Sequence, residues 1–226
     1  MGAALFRHRL AVIVGFFALA IVTAIVVARL VPGAVVVGPA SAAWAPSGIA
    51  CVLAFAVRTW GEARVGAAVY GQSASSRLVT SGPFSLVRHP LYVGTWLFFA
   101  GATAPYLPLA AAIALDVAFA LALRAIAVHE EVGLQATHGE AWAAYAARVP
   151  RFVGLPRSGG EDGGDGVVVG AGAWAIAALS NVGMLSLGGY RVVSGAGVDF
   201  VGLRSLTLLG LTVWFVVVVV RRLRRR

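Results

Sequence analysis

The chain has 226 residues, of which 60% are hydrophobic and only 12% charged, and its mean hydropathy is +0.88. Soluble domains run about 45–50% apolar and about 25% charged, so a water-soluble globule and a disordered chain are both excluded. The net charge of +9 comes from 18 arginines, with no lysine, against nine acids; the arginines lie between apolar runs and at the C-terminus rather than on an aromatic-studded basic face, which points to anionic lipid headgroups and not to nucleic acid.

In chain order, a helix needs about 20 apolar residues to cross a hydrocarbon core about 30 Å thick. Residues 10–28 form the first uncharged window, between Arg9 and Arg29. It exceeds the 7 to 15 residues of a signal-peptide core, so it is read as a span and not a cleaved leader. Position 6 is Phe6, not Ser or Thr, which argues against myristoylation at Gly2. Residues 30–57 are also uncharged but carry Pro32, Pro39 and Pro46, so the helix is expected to start near Ala42. Cys51, the single cysteine, lies in this run, which excludes an internal disulfide and a cysteine metal cluster; no metal site is expected.

Residues 91–115 carry no charge and are interrupted by Ala104-Pro105-Tyr106-Leu107-Pro108. Two prolines this close predict a tight turn between two helices, the second spanning to about Val128 and continuing as a helix to about Thr137. A short helix follows Gly139 and breaks at Pro150. The glycine-rich acidic stretch 159–166 reads as a flexible linker; it precedes an apolar run, so its glycine spacing is not a dinucleotide fingerprint. Spans at 167–190 and about 200–220 complete the chain.

The expected fold is therefore all-α, a polytopic transmembrane bundle of about six spans including a helix hairpin. Placing both termini in the cytoplasm puts fourteen of the 18 arginines there, with Arg29, Arg191 and Arg204 outside and Arg124 within a span, as the positive-inside rule requires. Polar connections at 58–90 and 129–166 then face the cytoplasm. Three regions are expected: a two-span region over 1–75, a core over 76–158, and the linker with two spans over 159–226.

Two stretches carry chemistry. In the first, Gly82-Pro83 forces a turn, Arg88 and His89 flank the next span, and Pro90 is suited to its first helical position, where a missing N–H costs nothing. Free N–H groups, a positive dipole end and an arginine make an anion site, or else an ordinary membrane-entry turn. Tyr92 lies half a turn on, and Gly94 leaves room for a ligand or a neighbouring helix. In the second stretch, at about 100° per residue, Arg124 lies about 80° and Glu131 about 60° from Asp116, so the three share a face, with Glu130 about 40° to the other side and His129 pointing away. Charges within a span mark a functional stripe or a structural ion-pair network. Glu130 and Glu131 repel each other, which favours a cation nearby: Arg88, Arg148, Arg151 or a cationic cofactor. Trp142 and Tyr145 share a face that either covers a bound ring or anchors an interfacial helix.

Taken together, Gly82-Pro83, Arg88-His89-Pro90, Tyr92, Gly94, Glu130-Glu131, Leu134, Gly139, Tyr145 and Val149-Pro150-Arg151-Phe152 resemble, in order and spacing, the isoprenylcysteine carboxyl methyltransferase and phospholipid methyltransferase superfamily of membrane enzymes. The resemblance covers roughly residues 76–154. Phe84, His138 and Trp142 depart from the pattern, which has tyrosine, phenylalanine and tyrosine there. The resemblance implies an S-adenosylmethionine site built from Gly82, Pro83, Arg88, His89, Pro90, Tyr92, Gly94, Glu130, Glu131, Trp142 and Tyr145. The cofactor carboxylate suits the Arg88/His89 helix terminus, and its sulfonium and amine suit carboxylates and aromatic faces. Arg88, Glu131 and Arg124 are the expected catalytic residues, the arginines orienting a carboxylate acceptor. The implied acceptor is a lipophilic or small molecule, methylated at the cytoplasmic face of a bacterial inner membrane. Two competing readings are a nicotinamide-dependent isoprenoid or sterol-like reductase, which the Glu130-Glu131 pair opposes, and a six-span scaffold or transporter, which leaves the linked motifs unexplained.

Overall fold

A computed structural model describes residues 8–33, 41–69, 78–154, 168–197 and 201–223. Six α-helices are found among them: α1 (Arg9–Leu30), α2 (Trp44–Val69), α3 (Pro90–Thr103), α4 (Leu109–Arg148), α5 (Ala171–Gly195) and α6 (Val201–Leu223). They stand where the six spans are expected. Three, α1, α4 and α5, are long and apolar enough to cross a membrane. The acidic stretch 159–166 and the last three arginines lie outside the described residues.

Apolar side chains cover much of the exterior, among them Leu10, Ile21 and Val22 on α1 and Leu109, Ile113 and Leu121 on α4, as befits a bundle solvated by lipid. Inside, Phe16 and Phe17 of α1 meet Phe99 of α3 and Phe119 of α4; the Phe99 and Phe119 centroids are 4.5 Å apart. The α2–α5 contact is closer. A Cβ on Gly48 would lie 2.8 Å from the Gly188 carbonyl oxygen, and one on Gly188 would lie 2.7 Å from that of Gly48. Small residues that let backbones approach are the usual basis of helix association in lipid.

The hairpin turn is a 3-10 segment, Ala104–Tyr106, with Pro108 capping α4. Helix α4 has 40 residues, about 60 Å at 1.5 Å per residue, so its second half projects beyond the apolar segment 109–128. Gly139, at φ 52 and ψ −122, breaks it, where the expected short helix begins.

Two arginines depart from expectation. Helix α2 continues through Arg58 to Val69 instead of giving way to a polar connection, because Arg58 finds partners inside the bundle: Glu62, Asn181, Thr95 and the Leu91 carbonyl. Arg191, expected outside, is 1% exposed within α5. Its guanidinium donates to Ser47 Oγ and to the Gly101 and Ala102 carbonyls and faces the Trp44 and Tyr106 rings.

Gly101 is a close point of the α2–α3 contact made against backbone, since a Cβ there would lie 2.7 Å from the Ser47 carbonyl oxygen and 2.9 Å from Cys51 Sγ. Gly101→Ala should destabilise by about 1 to 3 kcal/mol, as overpacking does. Gly133, on the open face of α4, has nothing within 4 Å of a built Cβ; Gly133→Ala should be neutral or add about 0.5 to 1 kcal/mol. Melting temperatures in detergent check the contrast.

Candidate active site

The site is assembled at one end of the hairpin from a turn, a helix start, a helix middle and a returning loop. Gly82 sits at φ +63, a conformation that glycine adopts without strain, and opens the 3-10 segment Gly82–Ser85 with Pro83 buried inside it. Arg64 of α2 donates to Ser81 Oγ at 2.8 Å, and Arg64 Nε and Trp60 Nε1 crowd the space a Gly82 Cβ would take. His89 then caps α3, with Pro90 as its first helical residue, as the sequence predicts.

The loop after α4 runs alongside this turn. Arg88 N–H donates to the Pro150 carbonyl at 2.8 Å and His89 N–H to that of Arg151 at 3.2 Å. Those two N–H groups, just before the helix, are satisfied by backbone. The anion on the Arg88 and His89 side chains is Glu131, 8% exposed. Its Oε1 accepts from His89 Nε2 at 3.0 Å and Arg151 Nε at 2.9 Å, and lies 3.2 Å from Arg88 Nη1; its Oε2 accepts from Arg151 Nη2 at 2.6 Å. An ionised carboxylate only accepts, so the His89 proton sits on Nε2.

Glu130 faces a second partner set. Tyr92 donates its hydroxyl to Glu130 Oε2 at 2.8 Å, and Arg9 at the start of α1 hydrogen-bonds the same tyrosine. The His89 ring lies between those of Tyr92, stacked at 5.5 Å, and Phe152 at 5.8 Å. Trp142 and Tyr145 are buried, not headgroup anchors: the Tyr145 hydroxyl donates to the Phe84 carbonyl at 2.7 Å, and the Arg88 guanidinium faces the Trp142 ring at 5.9 Å.

Arg124 and Gly94 are not drawn into this cluster. Arg124 is exposed, stands two turns before Glu131, and among the described residues forms no ion pair with Asp116, whose Oδ1 is buried without a hydrogen-bond partner. The space left by Gly94 is filled by α2, since a Cβ there would lie 2.4 Å from Arg58 Cγ. Arg148 donates to the Ala144 carbonyl within its own helix. Arg151 is the cation that meets Glu131 along both edges; its place in Val149-Pro150-Arg151-Phe152 is the signal for it. Arg9 has no such signal, being 83 residues from its partner Tyr92.

Glu131 lies beyond the apolar segment of α4. Burial pushes its carboxyl up, but hydrogen bonds from His89 and Arg151 and the charges of Arg88 and Arg151 outweigh it and hold the group at about 2. Room for a cofactor lies beside Arg88, in an open cavity of about 330 Å³ lined also by Ala146, Ala147, Arg148, Val149, Pro150 and Gly154. Arg88 Nε, buried and without a hydrogen-bond partner, leaves one donor of this guanidinium unused. An arginine that lines an open cavity, backed by Trp142, fits an anionic group of a ligand.

Residues 41–141 match the family model of phospholipid methyltransferases. The superfamily resemblance read from the motifs is thus borne out, and the match supports a membrane methyltransferase in general. It spans α2, α3 and most of α4; α1, α5, α6 and the loop carrying Arg151 fall outside it. The cobalt-zinc-cadmium resistance protein CzcN of Cupriavidus metallidurans is 44% identical over 78 residues, which is 34% of this chain and 36% of that protein. The chain therefore matches about a third of this relative's length. No solved structure matches it.

Because the folded Glu131 carboxyl titrates below its ordinary 4.5, its stabilising contribution is complete above about pH 5 and is lost as pH falls from there toward 2. Glu131→Gln should destabilise by about 2 to 3 kcal/mol at neutral pH, leaving Arg88 and Arg151 without their counter-charge. It should also flatten the loss of stability between pH 5 and 3. Thermal unfolding of both proteins across that range measures the difference.

Proposed function

We propose that the chain transfers a methyl group from S-adenosylmethionine to a lipophilic or small acceptor, a carboxylate, amine or thiol, at the cytoplasmic face of a bacterial inner membrane. The observation that carries the reading is the convergence of residues 82–92, 130–131, 142–145 and 149–152, separate in the chain, on one cluster with an open cavity lined by Arg88 at its edge.

Within this reading Arg88, which lines the cavity, receives the carboxylate of the cofactor. Tyr92 and Glu130 form the second polar wall; the Glu130 side chain, 33% exposed against 10% for Glu131, is the carboxylate available to a cationic group. Glu131 is already committed to two arginines and to His89. Its role is to fix Arg88 and His89, and it is reassigned from catalytic group to positioning residue. Arg124, exposed and outside the cluster, keeps no catalytic part. When bound, the cofactor supplies an activated methyl on a sulfonium, and the work left to the protein is alignment and exclusion of water. The apolar exterior lets a lipophilic acceptor approach from the bilayer, and the arginine asymmetry supports a cytoplasmic position for this end of the hairpin. The arginines that follow Val220 would meet anionic headgroups.

Purified protein in detergent should bind S-adenosylhomocysteine and gain about 2.7 kcal/mol at one hundred times the dissociation constant. A rise in melting temperature with this ligand and none with a nicotinamide dinucleotide is the expected result. The reverse pattern would replace the methyltransferase reading with the reductase.

A further inference from the structure

Helix α5 lies outside the segment that matches the family, yet hydrogen bonds tie it to both ends of α3, directly at one and through Arg58 of α2 at the other. It packs most extensively on α2 and scarcely touches α3 directly. One polar side chain of α5, Arg191, reaches α3 directly, and a second, Asn181, reaches it through Arg58 of α2. At the far end, Gly101 would pass its carbonyl to the N–H of residue 105, but Pro105 has none; Arg191 of α5 supplies the missing donor and also bonds the Ala102 carbonyl.

At the end next to the site the link runs through Arg58. Asn181 of α5 is 1% exposed. Its amide is held in one orientation by the bond from Nδ2 to the Ala177 carbonyl at 2.9 Å, so that Oδ1 accepts from Arg58 Nε at 3.0 Å. The same guanidinium donates through Nη1 to the Leu91 carbonyl and Thr95 Oγ1, and through Nη2 to Glu62. Leu91 lies between Pro90 and Tyr92, in the first turn of α3. Asn181 and Arg191 are ten residues apart on α5, as Leu91 and Gly101 are on α3, about 15 Å in each helix. Two anchors at matching separation fix both the axial register and the rotation of α3.

We propose that α5 sets the position of the cofactor-side turn, and that Asn181, acting through Arg58, is a positioning residue for the site that carries Arg88, His89 and Tyr92. The proposal rests on the methyltransferase reading for its functional consequence, while the mechanical link stands on the hydrogen bonds alone.

The test compares the full chain with Asn181→Leu, which removes the acceptor at similar size, and Asn181→Asp, which keeps it. S-adenosylhomocysteine affinity and hydrogen exchange are both measured. Asn181→Leu should weaken affinity about three- to twentyfold, the range that one interhelical hydrogen bond in a membrane protein carries. It should also speed exchange in residues 88–95 while leaving α1 as in the parent, and Asn181→Asp should recover most of both. Should Asn181→Leu fail to fold, Asn181→Ser, too short to reach Arg58, must show the same two losses. Unchanged exchange at 88–95 with unchanged affinity would overturn the proposal, as would faster exchange spread evenly over all helices. If the parent does not bind the ligand but exchange at 88–95 still rises selectively, the link holds and the methyltransferase reading falls.

Discussion

The Glu131 carboxylate is the point on which the site depends. Taking a carboxylate out of water costs several kcal/mol unless its lone pairs and charge are met, and here they are met from two directions. Arg88 and His89 come from the start of α3, and Arg151 comes from the loop beyond α4. Neither group of partners is near Glu131 in sequence, so the ion junction closes only when the hairpin has packed and the chain has turned back at Pro150. The backbone bonds from Arg88 and His89 to residues 150 and 151 close with it. Remove the carboxylate and three positive or protonatable groups face one another, with the turn and the returning loop pushed apart.

The surrounding bundle follows a second constraint, that polar groups in lipid must find partners inside the protein. Pro105, just beyond the end of α3, leaves the Gly101 carbonyl without its usual donor, and Arg191 of α5 fills that place. In the first turn of α3, Arg58 of α2 bonds the Leu91 carbonyl and Thr95 Oγ1, so both arginines are held within the fold. Glycines at 48, 94, 101 and 188 allow the approach this needs. The polar framework and the close packing are therefore one arrangement: the arginines reach the carbonyls of α3 only because the helices come so near.

Much of this was legible in the sequence. The six helical segments, the proline turn of the hairpin, the Gly82-Pro83 turn and the start of α3 at Pro90 follow from local rules about apolar length and proline geometry. The linked motifs mark the residues that converge. Pairings between distant side chains were less legible. Arg58 and Arg191 look like loop charges when each run is read alone, because their acceptors are carbonyls, which the sequence does not display as partners. Arg124 shares a helical face with Glu131 in projection, but angle ignores rise, and two turns separate them. Gly94 signals close approach without saying what approaches, and the structure answers with Arg58. Glu131 and Glu130, alike as neighbours in the chain, take different roles because one turns into the cation cluster and the other toward Tyr92.

A double-mutant cycle on Arg151→Met and Glu131→Gln, read as unfolding free energy in detergent at neutral pH, tests the junction most directly. A coupling energy of about 1.5 to 3 kcal/mol is expected for a buried, doubly bonded ion pair. Additive effects within about 0.5 kcal/mol would contradict it, and would mean that the returning loop is held by its backbone bonds alone and not by the charge of Glu131.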